Sequence, residues 1–392
     1  MLDFNKLSTK ISNITLRLTK DSQESQERLK YALEVWSNVL DDDKELGDKI
    51  TSYIDKFPWG VARPLEPLNN ITPLPDMKDL EKFTVVATDG SQISPSHHEI
   101  SFCYLINVGL ILYTYGTGDK TIQESEPYIY NIESDYSQRK QHHISVDDLI
   151  PIKRMLTEMS ELVSLCKKAK ERTYPSIALS DGTLINWSIS NQMFTEEFQN
   201  QILGEYLQYL DEIKSLGVPI CGYISNSRRN DVVNMLRVQI CPYKTVDCEN
   251  FCSEKEACSQ IVPLYDRQIW EYLLNDGERS PIFASTSKIL QKYKDHQICF
   301  FYINVGYEIA RIEVPRWVID DEYYLNLIHY IVYFQVKVGM GYPIVIAEAH
   351  NQAVIKGPDR AQFYAMLSRK MIDRNMKVLL SNKELKKRSG IV

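Results

Sequence analysis

Two short apolar runs, each ending in aspartate and glycine, limit what this chain can fold into more than any other feature of it. Phe83 to Thr88 leads into Asp89-Gly90-Ser91, and Ser176 to Ser180 leads into Asp181-Gly182-Thr183. Short β-rich apolar runs bounded by turn residues read as buried strands. Between them, residues 147–171 place Ile152, Met155, Leu156, Met159, Leu162, Val163 and Cys166 on one stripe, which predicts an amphipathic helix. A strand, a covering helix and a second strand predict an α/β fold with a mixed or parallel sheet flanked by helices. In open sheets of this kind ligands bind beyond the carboxyl ends of strands. Both aspartates are expected there.

The rest of the chain continues the alternation. Residues 99–115 read as two strand-like runs forming a hairpin around Asn107-Val108-Gly109, and 117–145 as a polar, Tyr-rich loop. A helix is predicted over 194–216 and strands over 218–224, 297–305 and 307–314. Helices follow over 321–338 and 359–374, with a strand over 343–347 between them. Residues 225–290 show little regularity. Residues 1–57 read as a separate N-terminal helical segment, with Leu29, Ala32, Leu33, Trp36 and Leu40 at helical spacing. Prolines 58, 64, 67, 73 and 75 then interrupt regular structure, so the main domain is expected over 58–392, with an irregular insertion at about 225–290.

Hydrophobic residues make up 44% of the 392 and charged residues 25%, enough for a sizeable core. The formal net charge of −7 counts mildly against a broadly basic nucleic-acid surface. It leaves open a locally basic groove, and a site for divalent cations must itself carry carboxylates. No leader-like N-terminus is seen, and no apolar run approaches the roughly 18 residues of a membrane span. A soluble, cytoplasmic protein is the expectation.

Asp89 and Asp181, brought together on neighbouring strands, would supply the oxygen ligands that Mg²⁺ or Mn²⁺ prefers. Ions so held can activate water and stabilise a leaving oxygen in phosphodiester cleavage. Either Asp-Gly alone is an ordinary turn. A third acid could come from the preceding helix, as Glu158 or Glu161. Glu158 lies between Met155 and Leu162 at the edge of the sheet-facing side, whereas Glu161 neighbours Thr157 and Ser164. Glu158 is preferred, although a helix glutamate near Lys153 and Arg154 is commonly just a solvated one. His350 follows the apolar run Ile344 to Ala347 and could serve as ligand or proton carrier. His97, His98, His142 and His143 read as surface loop residues. Arg228, Arg279 and Lys383, with Arg229, Arg360, Arg369 and Lys370, are candidate phosphate contacts.

These segments resemble the NurA nuclease family. The likeness is carried by Val85 to Ser91 with Tyr104 to Gly109, by Arg154 and Glu158 leading to Ala178 through Leu184, and by Gly222-Tyr223-Ile224-Ser225. It continues in Arg311 to Pro315, Tyr342-Pro343-Ile344 and Ala349 through Ile355. The resemblance implies an RNase H-like core, metal-site acids at Asp89, Glu158 and Asp181, and a histidine at His350. It also implies a Mn²⁺-dependent DNA nuclease, with Mg²⁺ as the other candidate ion, of the 5′–3′ exonuclease and single-strand endonuclease type. Its setting would be DNA repair and end resection, as a homodimer beside a HerA-type hexameric ATPase. Ser225 stands where such proteins often carry lysine.

Cys241, Cys248, Cys252 and Cys258 follow the spacing C-x6-C-x3-C-x5-C. Four thiolates can hold Zn²⁺ or an iron–sulfur cluster, yet paired C-x2-C spacing is lacking, and reduced thiols are the simpler expectation. Competing functions are a non-catalytic subunit that clamps DNA for a helicase, an actin-like ATPase, and hydrolysis with Ser91 as nucleophile. The ATPase would need a second Gly-rich loop near 218–224 or 343–357, and the last a G-x-S-x-G elbow; the sequence has neither. The apolar stripe of the N-terminal helix must be buried on a partner or on its own core. Residues 1–57 are expected to make protein contacts in a homodimer that encloses DNA; the alternative is that the helix covers its own domain.

Overall fold

The computed structural model describes residues 3–40, 43–53, 59–95, 102–133, 142, 144–187, 194–243, 246–248, 250 and 257–375. In chain order it begins with α1 (Phe4–Val39), α2 (Asp43–Tyr53), β1 (Ala62–Pro64), β2 (Phe83–Ile93), β3 (Cys103–Tyr115) and β4 (Ile122–Asn131). Then come α3 (Val146–Glu171), β5 (Ser176–Asp181), α4 (Glu196–Ser215), β6 (Ile220–Ile224), α5 (Asp231–Gln239) and α6 (Asp266–Leu273). The chain continues with β7 (Phe283–Ser285), β8 (Ile298–Asn304), β9 (Ile309–Pro315), α7 (Glu322–Val338), α8 (Ile344–Ala353) and α9 (Gly357–Asp373). It divides into two compact units, one of residues 76–223 and 317–392, the other of residues 1–75 and 224–316.

In the first unit the strands run in the order β6-β5-β2-β3-β4. β2, β3 and β4 form an antiparallel meander, and β5 and β6 lie parallel to β2 on its other side. α3 packs on β2, β3 and β5, and α8 on β2, β3 and β4. Ser145 begins α3 by accepting a hydrogen bond from Asp148 N, and Asp147 and Asp148 favour the positive end of the helix dipole. Side chains alternate faces along a strand, so Asp89 and Ser91 of β2 meet α8 while Gly90 meets α3.

Three elements differ from the sequence expectation. Residues 103–115 form one strand, not a hairpin. Gly109 sits mid-strand because α8 presses on it: an added Cβ would collide with Ala349 O and lie 2.8 Å from Ala353 N. The polar stretch after it contains β4, an edge strand whose residues 123–127 are exposed and need no apolar alternation. The run at 343–347 begins a helix, α8, with Val345, Ile346, Ala349 and Ala353 buried at helical spacing. A short continuous apolar run reads alike for a buried strand and a buried helix.

In the second unit β1, β7, β8 and β9 pair antiparallel in that order. The stretch at 225–290 contains α5, α6 and β7. The apolar stripe of α1 covers this unit's own core: Ala32, Val35, Trp36 and Val39 are buried, and Leu29 and Leu33 pack against them. Leu40 remains partly exposed. Trp36 meets Trp270 edge to face at 5.1 Å, a geometry aromatic pairs favour. Buried Arg311 is held by Asp231 and Glu313, each at 3.1 Å, with its guanidinium 3.6 Å from the centre of the Phe300 ring. Cys241 belongs to the hydrophobic core and Cys248 packs against it, Cys258 is buried, and Cys252 lies outside the described residues. Among the described residues, no helix is long and apolar enough to cross a membrane.

Candidate active site

The site is built where β2 and β5 part. Their pairing ends at Thr88↔Ser180, so Asp89 is the first β2 residue without a β5 neighbour, although β2 continues to Ile93 along β3. Asp89 Oδ1 accepts from Gly90 N at 2.8 Å, and Oδ2 lies 2.8 Å from His350 Nδ1 on α8. The His350 ring is otherwise open, with 63% of the side chain exposed. Asp181 closes β5, and the chain turns through Gly182 in the left-handed region, φ +87°. Gly182 N donates to Tyr223 O at 2.8 Å. Tyr342 OH donates to Asp181 Oδ1 at 2.7 Å, and its ring stands edge-on to Tyr223.

Glu158 comes from the opposite face of the sheet. Its backbone carbonyl accepts from Thr88 Oγ1 at 3.0 Å, which ties the α3 turn to the β2 residue before Asp89. Its carboxylate then lies over Gly90, where an added Cβ would collide with Glu158 Oε1 and stand 2.9 Å from Arg154 Cγ. Gly90 therefore serves close packing within a strand, whereas Gly182 serves a turn. Arg154 Nε sits 3.2 Å from Glu158 Oε1. Burial is the largest influence on Glu158 and raises its pKa; Arg154 opposes it, while Asp89 and Asp181 add to it, leaving the carboxyl at about 7.

Asp89, Asp181 and Glu158 thus interact electrostatically, and His350 touches one of them. Glu161 is turned elsewhere and accepts a hydrogen bond from Tyr128 OH of β4. Among the described residues, no three His, Cys, Asp or Glu side chains are arranged as a ready metal cage; Glu158 is drawn to Arg154 and Asp89 to His350 instead. Arg228 is exposed. Arg279 is a correction: it is 5% exposed and paired with Glu66 at 3.0 Å, so no phosphate can reach it. Lys383, His97, His98 and His143 lie outside the described residues. His142 is buried rather than on the surface, with Nδ1 2.7 Å from Thr195 Oγ1 at the start of α4.

Tyr342 was not picked out as a site residue. Its sequence signals are its place in the family-like segment Tyr342-Pro343-Ile344 and after a Gly-Met-Gly turn, and neither points at Asp181, 161 residues earlier. Arg154 stands in the sequence as part of the family-like helix and as the i−4 neighbour of Glu158, with no role of its own attached to it.

A family model described as the NurA domain matches residues 83–355, a span that contains every residue of this cluster. The crystal structure of the NurA nuclease from Sulfolobus solfataricus aligns with a TM-score of 0.50 and 15% sequence identity, over 95% of this chain and 98% of that one. At that identity the likeness is one of fold. No curated protein matches the chain.

Proposed function

The chain belongs to the NurA family of nucleases, and from that premise we propose that it is a metal-dependent deoxyribonuclease whose site is Asp89, Glu158 and Asp181, with His350 beside them. The observation that carries the reading is Glu158 laid over Gly90, next to Asp89 in β2, where Asp89 and Asp181 both bear unfavourably on its charged carboxylate. Such crowding is unfavourable for a protein alone and is relieved by a cation. The donors fit one: carboxylate oxygens suit Mn²⁺ and Mg²⁺. Asp89, Asp181 and Glu158 would hold the ion, with His350 as a further ligand. When bound, it would supply a water acidified for attack and charge to stabilise the leaving oxygen.

The protein's own groups do the rest. Tyr342 holds the Asp181 carboxylate in one orientation. His350 faces solvent on one side and Asp89 on the other, the position of a proton carrier. Arg154 Nε balances the Glu158 carboxylate at 3.2 Å, and the rest of its guanidinium offers donors of the kind that meet a phosphate.

We also infer an RNase H-like core for the first unit. Support comes from the three-strand antiparallel meander followed by two parallel strands, with Asp89 and Asp181 on β2 and β5, the first and fourth of these five strands in chain order. Manganese as the working ion, 5′–3′ exonuclease and single-strand endonuclease action, a homodimer and a HerA-type hexameric ATPase partner in end resection complete the proposal. It is tested by incubating single-stranded and blunt duplex DNA with the protein in Mn²⁺, Mg²⁺ or EDTA, beside Asp89→Asn. Cleavage should require the ion and disappear in the variant while DNA binding persists. Cleavage in EDTA would sink the metal site, and metal-bound wild type that binds DNA without cutting it would favour the clamping subunit.

A further inference from the structure

We propose that the cavity between α3, α4 and β4 is a second binding site, which takes a guanidinium group between tyrosine rings and the carboxylates of Glu161 and Glu205. It goes beyond the nuclease reading and does not rest on it. The cavity measures about 380 Å³, within the roughly 300–1,000 Å³ that small-ligand pockets occupy. Glu158, the α3 acid of the candidate active site, does not line it.

Three elements each turn one face into it. On α3, Lys153, Thr157, Ser160 and Glu161 recur at helical spacing and so share one side of the helix. Glu205 and Tyr209 do the same on α4, and Tyr128 and Tyr130 point to one face of β4. The side chains meet in the cavity. Tyr128 OH donates to Glu161 Oε1 at 2.5 Å, and Tyr209 OH to Glu205 Oε1 at 3.0 Å. Tyr130 OH lies 3.4 Å from Thr157 Oγ1.

The chemistry of the walls selects the occupant. One tyrosine hydroxyl engages each glutamate, whereas a carboxylate offers about four acceptor positions. Among the described residues, neither Glu161 nor Glu205 has a second hydrogen bond or an ion pair. Lys153 is the one cation that lines the cavity beside these two acids. The two tyrosines they engage register the negative field. Burial first, and then Glu161, raises the pKa of the Tyr128 hydroxyl; burial and then Glu205 do so at Tyr209. The rings show that a cation is accepted here: the Lys153 ammonium stands 5.1 Å from the centre of the Tyr130 ring, inside the roughly 6 Å reach of cation–π attraction. A guanidinium suits both features. It is planar, stacks on aromatic faces and carries its donors in a fork that matches carboxylates, whereas an ammonium is a compact, strongly hydrated point charge. Buried Leu156 and Ile202 supply apolar wall for an alkyl stem.

The test titrates full-length protein by calorimetry at fixed ionic strength with agmatine, with putrescine and with the end-blocked peptide Gly-Arg-Gly. Agmatine and putrescine share a butyl stem and an amine and differ in one end group, guanidinium against ammonium. Wild type should bind agmatine at one site per chain, and more tightly than putrescine. The double variant Glu161→Gln, Glu205→Gln keeps an acceptor oxygen for each tyrosine hydroxyl, so it should melt like wild type. It should bind agmatine about tenfold or more weakly, the loss expected when charged hydrogen bonds become neutral ones. Tyr130→Leu should weaken binding about two- to fivefold, and it carries the test alone if the double variant fails to fold. Tighter binding of the peptide than of agmatine would assign the site to an arginine of a partner protein, and the reverse to a free guanidine; either upholds it. No saturable heat, equal agmatine affinity in wild type and the variants, or equal affinity for agmatine and putrescine would overturn the proposal. So would agmatine binding that is lost in Asp89→Asn and kept in the double variant, which would move the cation to the active-site acids.

Discussion

Glu158 reaches its place because Gly90 has no side chain: a Cβ there would run into Glu158 Oε1. The acid from α3 and the acid of β2 leave opposite faces of one sheet, since neighbouring strand residues alternate. A gap of one missing methyl group in β2 lets them share a site. Gly90→Ala is therefore expected to fold, since Gly90 is not in the left-handed region, but to push Glu158 aside. A misplacement of about 1 Å can cost on the order of 100-fold in rate. Mn²⁺-dependent cleavage should fall by roughly that factor with melting nearly unchanged, and wild-type activity would refute the close-approach argument.

The two candidate glutamates separate cleanly. Glu158→Gln should abolish metal-dependent cleavage and weaken Mn²⁺ binding measured by calorimetry. Glu161→Gln, whose carboxyl is engaged by Tyr128 on β4, should keep both within a few-fold. The reverse pattern would move the third ligand to Glu161.

Removing the Tyr342 hydroxyl frees Asp181 Oδ1 to rotate. Tyr342→Phe is expected to lower kcat by about 10- to 100-fold, the range for a group that orients a metal ligand by a hydrogen bond, with KM for DNA little changed. A rise in KM at constant kcat would instead make Tyr342 a binding contact.

Glu158 carries a pH dependence whose sign can be worked out. Its folded-state pKa, raised to about 7, lies above the ordinary value of 4.5, so the folded protein holds this proton more tightly than the unfolded chain does. Stability on this account is fully present below 4.5 and is lost as pH rises to about 7. In EDTA the wild type should therefore lose melting temperature between pH 5 and pH 8 relative to Glu158→Gln. Mn²⁺, which needs the ionised carboxylate, should bind more tightly across the same rise. Parallel melting curves for the two proteins would count against the crowded-acid geometry.

Trp36 of α1 is 4% exposed and packs edge-on to Trp270. Trp36→Ala should destabilise by about 3–5 kcal/mol, the usual cost of removing a buried aromatic ring, read from urea denaturation. Deleting residues 1–50 should yield insoluble protein, because Ala32, Val35 and Val39 cover the same core. A soluble, cooperatively folding truncation would show that α1 is dispensable to its own unit and restore the view of it as a docking element.

What the sequence determined by itself was local. Apolar runs cut short by Asp89 and Asp181, and an amphipathic helix between them, specify strands, a covering helix and two acids at one sheet end, because periodicity and turn chemistry act within a few residues. The stripe Met155–Leu162 also turned Glu158 toward the sheet and Glu161 away. The tertiary structure decided whatever depended on a neighbour distant in the chain. Residues 344–353 became a helix because they cover β2 and β3. Arg279 became a buried partner of Glu66, 213 residues away, and not a surface cation. Tyr342 came to Asp181, and His350 to Asp89 across 261 residues. Such contacts leave no period in the sequence, since each is one side chain meeting another only after the sheet has been assembled.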